Sequence, residues 1–333
     1  MKFAALAVAI AGTLSAADFA PIIIDTDCGG DDLMAMAFLL ARRDVRIEAV
    51  TIANGVAHVR PGAGNVLRLL ELGGRGDVPV YVGRETPLHG HAAFPEPWRK
   101  GADAPLGSRA AQHTPQKQSA ADYLAARLRD RSRPLRFLAL GPLTNFGEAL
   151  ERTPEGLRDI EVSIMGGAIY SPGNLGAGGY FHTDNKTAEW NIYVDPVAAK
   201  EVFTSGAKIH LVPLDATNQV HIDSDLLKAF RSKARTPLGE YVTAILKQHR
   251  NEIREGIYYA WDPLAAVAMI EPRLVHESQL AIDVKQMPPE EGRTTEMAGY
   301  PPNAGVALSA DAEGFREAFL RAFTRAGSAS AGP

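Results

Sequence analysis

The sequence predicts a single α/β domain built on an open, mostly parallel sheet that is flanked by helices. Short apolar runs typical of buried strands alternate along the chain with longer helical segments. Repeated β–α units of this kind place their strands parallel and their helices on the two faces of the sheet. No linker, internal repeat or change of composition marks a second domain within the 333 residues.

The predicted strands are short and rich in β-branched residues, whereas the predicted helices are longer. We predict strands at 22–24, 45–52, 78–82, 135–140, 160–165 and 207–212. We predict helices at 33–40, 63–72, 119–129, 195–203, 223–233 and 237–254, and a last helix from the Trp261-Asp262-Pro263 turn to Met269. Ser119 is expected to cap its helix. Segments 84–117 and 171–186, rich in glycine, proline or histidine, are predicted to be long surface loops.

The two ends of the chain are expected to lie outside the domain, which would span 18–326. Residues 1–17 combine a basic start, a short apolar run and small residues, which is typical of a secretory signal peptide cleaved near Ala17. The run is short for a membrane anchor. We therefore expect a secreted or periplasmic protein with no stable membrane anchor. The Ser/Ala/Gly-rich tail, 327–333, is expected to be disordered.

Composition excludes several classes of function. The formal net charge of −4 argues against a nucleic-acid or anionic-membrane partner. A 46% hydrophobic content is ample for a large core. The single cysteine, Cys28, excludes an intrachain disulfide. Neighbouring carboxylates should raise the pKa of its thiol, so we expect a buried filler rather than a nucleophile.

The most informative segment is 25–32, in which four carboxylates fall within eight residues: Asp25, Asp27, Asp31 and Asp32. The segment joins a buried strand to a helix, so the acids should lie at the carboxyl edge of the sheet, where open α/β folds bind ligands. Acids this close repel one another unless a cation or hydrogen-bond donors compensate. Oxygen ligands favour Ca²⁺ or Mg²⁺ over zinc. Helix capping would account for one acid but not for four.

Other polar residues follow predicted strands and should lie on the same rim. They are Asn54, the Leu140-Gly141-Pro142 turn and Asn174, joined by Glu189-Trp190-Asn191 and Trp261-Asp262. A pocket at the carboxyl ends of parallel strands requires this distribution.

These segments resemble the nucleoside N-ribohydrolases, the inosine–uridine-preferring family. Residues 25–32 match its DTDxGxDD signature. The likeness continues in order at 141–145, 165–167, 188–196 and Asp262-Pro263, and so runs from about Pro21 to Ala268. The resemblance implies a nucleoside-hydrolase-like fold that cleaves the N-glycosidic bond of ribonucleosides to free base and ribose. Trp190 and Trp261 are most similar to the purine-preferring (inosine–adenosine–guanosine) branch.

The resemblance also implies one Ca²⁺ at the floor of the pocket. Its protein ligands would be the carboxylates of Asp27, Asp32 and Asp262 and the backbone carbonyl of Leu140, with Asp25 supporting them from behind. Asp27 would also accept the proton of the attacking water. Carboxylates and amide oxygens suit this reaction because positive charge builds on the ribose ring.

The same resemblance assigns the substrate contacts. Asp31, Asn54, Asn174, Glu189 and Asn191 would hold the sugar hydroxyls, and the indoles of Trp190 and Trp261 would hold the base. We expect Glu189 and Asn191 to face the same way, because alternate residues of an extended segment do so. Relatives are commonly dimers or tetramers, so a homo-oligomer is expected.

Two of the ribose contacts have competitors. Asn54 is the obvious candidate after the second strand, yet an ungapped register from Asn65 places Val56 there. In the second loop, Asn185 competes with Asn174.

The contacts to the base leave two further points open. Trp261 stands where many members of the family carry a histidine that acts as the leaving-group acid, so the source of the proton for the base is open. Trp98 is either a pocket wall or a core residue.

Two rival functions fit parts of the sequence. An aspartyl-phosphate phosphatase would use Asp25 as nucleophile and Asp27 as acid, but the second acid pair that follows argues against it. An exported nucleoside- or sugar-binding protein without catalysis would also need a polar pocket, although it would not need a metal site with a water-activating acid.

Overall fold

The computed structural model describes residues 20–90, 92–104, 106, 110–130, 132–153 and 157–324. The predicted signal peptide, 1–17, and the predicted disordered tail, 327–333, lie outside these residues.

An eight-stranded sheet forms the centre of the domain, and a separate two-stranded hairpin pairs β8 with β9. The strands are β1 (Ile22–Thr26), β2 (Ile47–Ile52), β3 (Val80–Val82), β4 (Leu135–Ala139), β5 (Ile160–Met165), β6 (Lys208–Val212), β7 (Val275–Leu280), β8 (Ile282–Val284), β9 (Thr294–Glu296) and β10 (Ala304–Ala310). The large sheet has the order β3-β2-β1-β4-β5-β6-β10-β7. Among the described strands of this large sheet, only β7 runs antiparallel to its neighbour. The predicted fold class is therefore confirmed.

Helices cover both faces of the sheet. They are α1 (Gly30–Leu40), α2 (Val59–Leu72), α3 (Glu96–Asp103), α4 (Ala120–Arg129), α5 (Thr144–Glu151), α6 (Trp190–Val194), α7 (Pro196–Thr204), α8 (Leu214–Thr217), α9 (Ser224–Lys233), α10 (Pro237–Gln248), α11 (Arg250–Glu255), α12 (Trp261–Ile270) and α13 (Ala312–Phe323). Ser119 caps α4, as predicted, by accepting a hydrogen bond from the Asp122 backbone N–H.

Strand β1 is buried on both faces, which explains its run of isoleucines. Ile22 and Ile24 pack into the core with α1, α2 and α12, whereas Ile23 packs into the opposite core with α4, α5 and α7. Side chains alternate across a strand, so a central parallel strand needs apolar residues at every position.

The chain reverses its direction of winding at β1. Strand order runs β1-β2-β3 to one side and β4-β5-β6 to the other. In doubly wound sheets, such a switch leaves a crevice at the carboxyl ends of the two central strands, where ligands bind. Here that crevice lies between the ends of β1 and β4, and both strands are followed by candidate site residues.

Three local predictions were wrong. Segment 84–117 was predicted to be a loop, but it contains α3, which the prolines permit because they precede the helix or occupy its first turn. The predicted helix 237–254 is two helices, α10 and α11, which are separated at His249. Glu189–Asn191 was predicted to be extended, but α6 begins at Trp190 because the Glu189 carboxylate caps it. Helices α5 and α8 and every element from β7 to α13 were not predicted.

Among the described residues, no helix has the length and apolar content that crossing a bilayer would require.

Candidate active site

Four aspartates from three separate segments meet at the carboxyl end of β1. Asp27 follows β1, Asp31 and Asp32 lie in the first turn of α1, and Asp262 lies in the first turn of α12. One carboxylate oxygen from each of Asp31, Asp32 and Asp262 lies within 4.8 Å of the other two. The Asp27 carboxyl lies within hydrogen-bonding reach of that of Asp32.

Local hydrogen bonds build the turn that brings these acids together. Asp32 Oδ2 accepts from the Gly29 backbone N–H at 3.0 Å, and its Oδ1 accepts from the Thr26 hydroxyl at 2.5 Å and from the Asp27 N–H at 3.2 Å. Cys28, between them, has a left-handed backbone conformation with φ of 67°. Asp32 therefore organises the junction as well as contributing a carboxylate.

Glycines let two other strand ends approach Asp27. Its Oδ2 accepts a 2.8 Å hydrogen bond from the Val56 N–H, and a Cβ at Gly55 would overlap that same oxygen. On the other side, a Cβ at Gly141 would lie 2.8 Å from the Asp27 Cβ. Asp27 is thus held between the turn after β2 and the turn after β4.

Burial raises the pKa of every acid in the cluster, and the charge of Asp32 raises the pKa values of the other three further. Burial and then the charge of Asp32 raise the pKa of Asp31 to about 7. The same two causes raise the pKa values of Asp27 and Asp262 well above their ordinary range. Burial also raises the pKa of Cys28, and Asp32 and Asp27 add to it, so the expectation of an unreactive thiol is consistent with its surroundings.

The donor set fits a hard divalent cation. Within the described part of the chain, no lysine or arginine forms a salt bridge with these four aspartates, and Asp262 Oδ1 is buried without a hydrogen-bond partner. Clustered anionic oxygens without a protein counter-charge are unfavourable in a folded protein. Oxygen-only sets of this kind suit Ca²⁺ or Mg²⁺.

The Leu140 carbonyl lies beside this cluster and is positioned by Asn191. Leu140 directly precedes Gly141, whose backbone packs against Asp27. The Asn191 side-chain amide donates to Leu140 O at 2.9 Å and to Met165 O at 3.1 Å. Asn191 therefore joins the ends of β4 and β5. A carbonyl has two lone pairs, so Leu140 O can accept this bond and still face a cation.

Glu189 and Asn174 lie on either side of the start of α6. The Glu189 carboxylate accepts from the N–H groups of Asn191 at 2.9 Å and Gly167 at 2.9 Å. Asn174 Oδ1 accepts from the Trp190 N–H at 3.1 Å. The competing Asn185 instead folds back on its own loop and donates to Glu291 O. Of the two asparagines, Asn174 is the one that contacts the Glu189–Asn191 segment.

Asn54 and Val56 have different surroundings. The Asn54 side chain is 2% exposed, and its Oδ1 accepts a 2.8 Å hydrogen bond from Arg99 of α3. Val56 contacts Asp27 through its backbone N–H. The structure therefore places Val56 against Asp27 and directs the Asn54 amide oxygen toward α3.

Asp25 lies behind the cluster and is fully buried. Its Oδ1 accepts from the Thr51 hydroxyl at 2.5 Å and from the Asn145 amide at 2.8 Å. Its Oδ2 is buried without a partner. Burial raises its pKa to about 7, although these two hydrogen bonds oppose the rise.

Trp190 and Trp261 belong to different clusters. Trp190 is 3% exposed and stacks on Phe94, with ring centroids 4.9 Å apart. It also packs edge-on against Trp98, with ring centroids 5.7 Å apart. Trp261 is half-buried and packs against Tyr258 and Tyr259. Trp98 is also half-buried, so it both packs on Trp190 and remains accessible.

Sequence reasoning missed three residues of this site. Thr26 and Asn145 stood in the recognised motifs, but nothing in the sequence assigned them to Asp32 and Asp25. Arg99 stood in a segment that was predicted to be a loop. The only available signal for Arg99 was a regular helical turn after Pro95. Its contact with Asn54 spans 45 residues, so no local pattern could indicate it.

Comparison with known proteins gives consistent matches over most of the chain. The family model for inosine-uridine preferring nucleoside hydrolase matches residues 22–317. A pyrimidine-specific ribonucleoside hydrolase, RihA of Escherichia coli O9:H4 (strain HS), is 31% identical over 312 residues, which cover 89% of this chain and 95% of that protein.

Solved structures agree with this match. A plant nucleoside hydrolase, PpNRh1, superposes with a TM-score of 0.81 at 29% identity and covers 92% of this chain and 99% of its own. A purine-preferring ribonucleoside hydrolase from Gardnerella vaginalis has a TM-score of 0.77 at 24% identity, covers 91% of this chain and 98% of its own, and supports the fold.

Proposed function

The chain belongs to the inosine-uridine preferring nucleoside hydrolase family, and from this premise we propose that it is an exported, calcium-dependent enzyme with a preference for purine ribonucleosides. Family membership gives the reaction class: the protein is a glycosidase that hydrolyses the N-glycosidic bond of ribonucleosides. The metal, the role of each residue, the preferred base and the cellular location are our proposals.

One observation carries the metal proposal. Asp27, Asp31, Asp32 and Asp262 converge at the switch point of the sheet, and the described residues supply no cationic side chain to compensate them. We assign Asp27, Asp32, Asp262 and the Leu140 carbonyl as the protein ligands of Ca²⁺. When bound, Ca²⁺ supplies positive charge that favours deprotonation of an adjacent water.

Asp27 is our candidate for the general base. Its Oδ2 is fixed by the Val56 N–H, which leaves Oδ1 to accept a proton from the attacking water. Burial and the neighbouring acids raise the pKa of this carboxyl, which makes it a stronger proton acceptor than an exposed aspartate. The buried anions around it stabilise the positive charge that develops on the ribose ring.

The remaining polar residues would hold the sugar next to these buried carboxylates. Asp31 is half-buried, whereas Asp32 and Asp262 are buried, and we assign it to the ribose hydroxyls together with Asn174, Glu189 and Asn191. Glu189 and Asn191 are already fixed by backbone hydrogen bonds, so ordering them on substrate binding costs little entropy. Asn54 is a weaker candidate than the sequence indicated, because its amide oxygen is engaged by Arg99.

The proposed purine preference rests on aromatic side chains. The half-buried indole of Trp261 directly precedes Asp262, and Trp190 and Trp98 form a second aromatic surface. Stacking of a base on an aromatic side chain is worth about 1–3 kcal/mol, and a purine offers the larger face. The 31% identical relatives are named as pyrimidine-specific, so pyrimidine preference is the second candidate.

A nucleoside panel tests these proposals together. Purified protein would be incubated with inosine, adenosine, guanosine, uridine and cytidine, and the released reducing sugar would be measured before and after treatment with EGTA and after addition of Ca²⁺ or Mg²⁺. We expect kcat/KM to be highest for a purine, to be lost in EGTA and to be restored best by Ca²⁺. Higher kcat/KM for uridine or cytidine would refute the purine preference alone. Full activity after complete removal of metal would refute the metal assignment.

The two rival functions are disfavoured. Asp25, the nucleophile of the phosphatase hypothesis, is fully buried and engaged by Thr51 and Asn145, so a phosphate ester could not reach it. A non-catalytic receptor does not agree with membership of a hydrolase family.

Export and assembly are proposed from the sequence and need separate tests. Expression of the full chain, followed by cell fractionation and mass spectrometry, should give a periplasmic or secreted protein that begins near Asp18. A cytoplasmic protein that retains Met1 would refute export. We also propose a homo-oligomer. Light scattering coupled to size-exclusion chromatography would measure the mass, and a monomer of about the mass of one chain would refute it.

A further inference from the structure

Arg99 is a buried cation without an anionic partner. The residue is 7% exposed, and its Nε is buried with no hydrogen-bond partner. In the part of the chain that the structure describes, no carboxylate forms a salt bridge with it, and the one hydrogen bond of its side chain is the 2.8 Å contact from Nη2 to Asn54 Oδ1. A buried charge of this kind lowers stability unless something compensates it. Fold stability therefore does not explain an arginine at this position.

The partner of Arg99 belongs to the turn that holds the candidate base. Asn54 begins the Asn54-Gly55-Val56 turn after β2. Gly55 packs against Asp27 so closely that a Cβ would overlap Oδ2, and the Val56 N–H donates to that oxygen at 2.8 Å. A shift of this turn by a few tenths of an ångström must move the Asp27 carboxyl.

Helix α3 is well anchored apart from this contact. Asp103 accepts from the His58 N–H at 2.9 Å, and the Asn65 amide donates to Ala102 O at 2.9 Å. Both contacts tie α3 to α2, whereas among the hydrogen bonds of the described residues only that of Arg99 ties α3 to the turn beside Asp27. Arg99 therefore connects a helix that is anchored on α2 to the position of one candidate catalytic carboxylate.

We propose that Arg99 is a positioning residue that fixes the orientation of Asp27 through Asn54. This inference deepens the proposed function, because it rests on Asp27 as the base and as a Ca²⁺ ligand. It predicts that removal of the guanidinium lowers the catalytic rate although it removes no group that touches the substrate, the water or the metal.

The test compares Arg99→Met, Asn54→Ala, the double variant and a matched control, Asn65→Ala, which loosens α3 without touching the turn. We expect Arg99→Met to lower kcat about 10- to 100-fold while KM changes by less than about twofold, because small misplacements of catalytic groups have effects of this size. Its thermal midpoint should be unchanged or higher, since a buried unpaired charge is replaced by an apolar side chain of similar length. Asn65→Ala should instead lower the midpoint and leave kcat within about twofold.

The double variant tests whether the effect of Arg99 on Asp27 passes through Asn54. If Arg99 acts through Asn54, the double variant should be no slower than the slower single variant. Losses that multiply would overturn the proposal, as would an Arg99→Met enzyme with the wild-type kcat or an equal loss in Asn65→Ala.

Calcium affinity, measured by titration calorimetry, gives a readout that does not depend on turnover. We expect Arg99→Met to weaken Ca²⁺ binding about tenfold, as loss of a group that orients a metal ligand does, and Asn65→Ala to leave it unchanged. If the wild-type protein hydrolysed none of the nucleosides, the substrate assignment would fail, and the calorimetry would still decide this inference. Equal affinities in Arg99→Met and the wild type would overturn it.

Discussion

Replacement of Asp27 by asparagine should change activity and stability in opposite directions. Asparagine has the same shape, and its Oδ1 can still accept the hydrogen bond from the Val56 N–H. It cannot take a proton from water, and it removes one negative charge from a buried cluster. Asp27→Asn therefore separates the chemical role of the carboxylate from its structural one.

The two effects can be estimated from the contacts of Asp27. Loss of a general base costs about 10²- to 10⁴-fold in rate. For stability, two unit charges about 4 Å apart interact by about 4 kcal/mol at an effective dielectric constant of 20. Asp27 is 2% exposed and lies next to Asp32. In metal-free protein the substitution should therefore relieve about 1–4 kcal/mol, either as repulsion between the two charges or as the cost of protonating Asp27 in the folded state. That gain should raise the thermal midpoint by several degrees.

Calorimetric melts in EGTA and in excess Ca²⁺, together with kcat on the best nucleoside of the panel, would measure both effects. In EGTA, Asp27→Asn should melt above the wild type. In Ca²⁺ the wild type should gain more than the variant, because a ligand that binds the folded state more tightly stabilises that state more at the same concentration. Asp159→Asn is a matched control, since Asp159 is exposed at the opposite edge of the sheet, just before β5. A variant that melts below the wild type in EGTA, or that keeps more than about a tenth of its kcat, would refute the reasoning.

Three further predictions follow from single contacts. The pKa of Asp25 is raised from 3.8 to about 7 in the folded state, so the folded protein binds this proton more tightly than the unfolded chain does. The stability that this protonation contributes is complete below about pH 4. It is lost as the pH rises to 7, by up to about 4 kcal/mol. Asp25→Asn should therefore flatten the fall of the thermal midpoint between pH 4 and 7 in EGTA, and an unchanged slope would contradict this assignment. Gly55→Ala should lower kcat by about 100-fold, because a Cβ would displace the Asp27 carboxyl. Gly101→Ala, where a Cβ meets nothing, is the control. Equal kcat values in the two variants would count against the close approach of Gly55 to Asp27. Asp215 accepts backbone hydrogen bonds from residues 169, 170 and 171 at 2.8–3.0 Å, so Asp215→Asn should lower the free energy of unfolding by about 1–3 kcal/mol in urea titrations, and a change below about 0.5 kcal/mol would show that these bonds are not needed.

Elements that depend on local chemistry could be predicted from the sequence. The β1–α1 junction is an example, because a strand that begins with three isoleucines, a short acidic turn with two glycines and an apolar helix follow one another within about twenty residues. The strand 160–165 was predicted with the bounds that the structure has. Alternation of such units was enough for the parallel sheet, since a strand followed by a helix returns to the same sheet in one direction.

Elements whose signals were weak or misleading could not be predicted. Helix α3 was hidden by a proline-rich composition that usually marks loops, although those prolines lie where a helix begins. The Glu189–Asn191 segment was predicted to be extended, but the Glu189 carboxylate caps α6. The C-terminal strands, β7 to β10, were not predicted, and sequence order gave no indication that β10 would pair between β6 and β7.

The sequence by itself determined the fold class, the family and the presence of an acidic cluster, because these depend on residue types that are close together in the chain. Only the tertiary structure decided which distant groups face that cluster. Asp262 reaches Asp32 across 230 residues, Asn191 joins two strand ends, and Arg99 holds the turn beside Asp27. Such contacts depend on how helices and strands pack, and packing is set by the whole core rather than by any one segment.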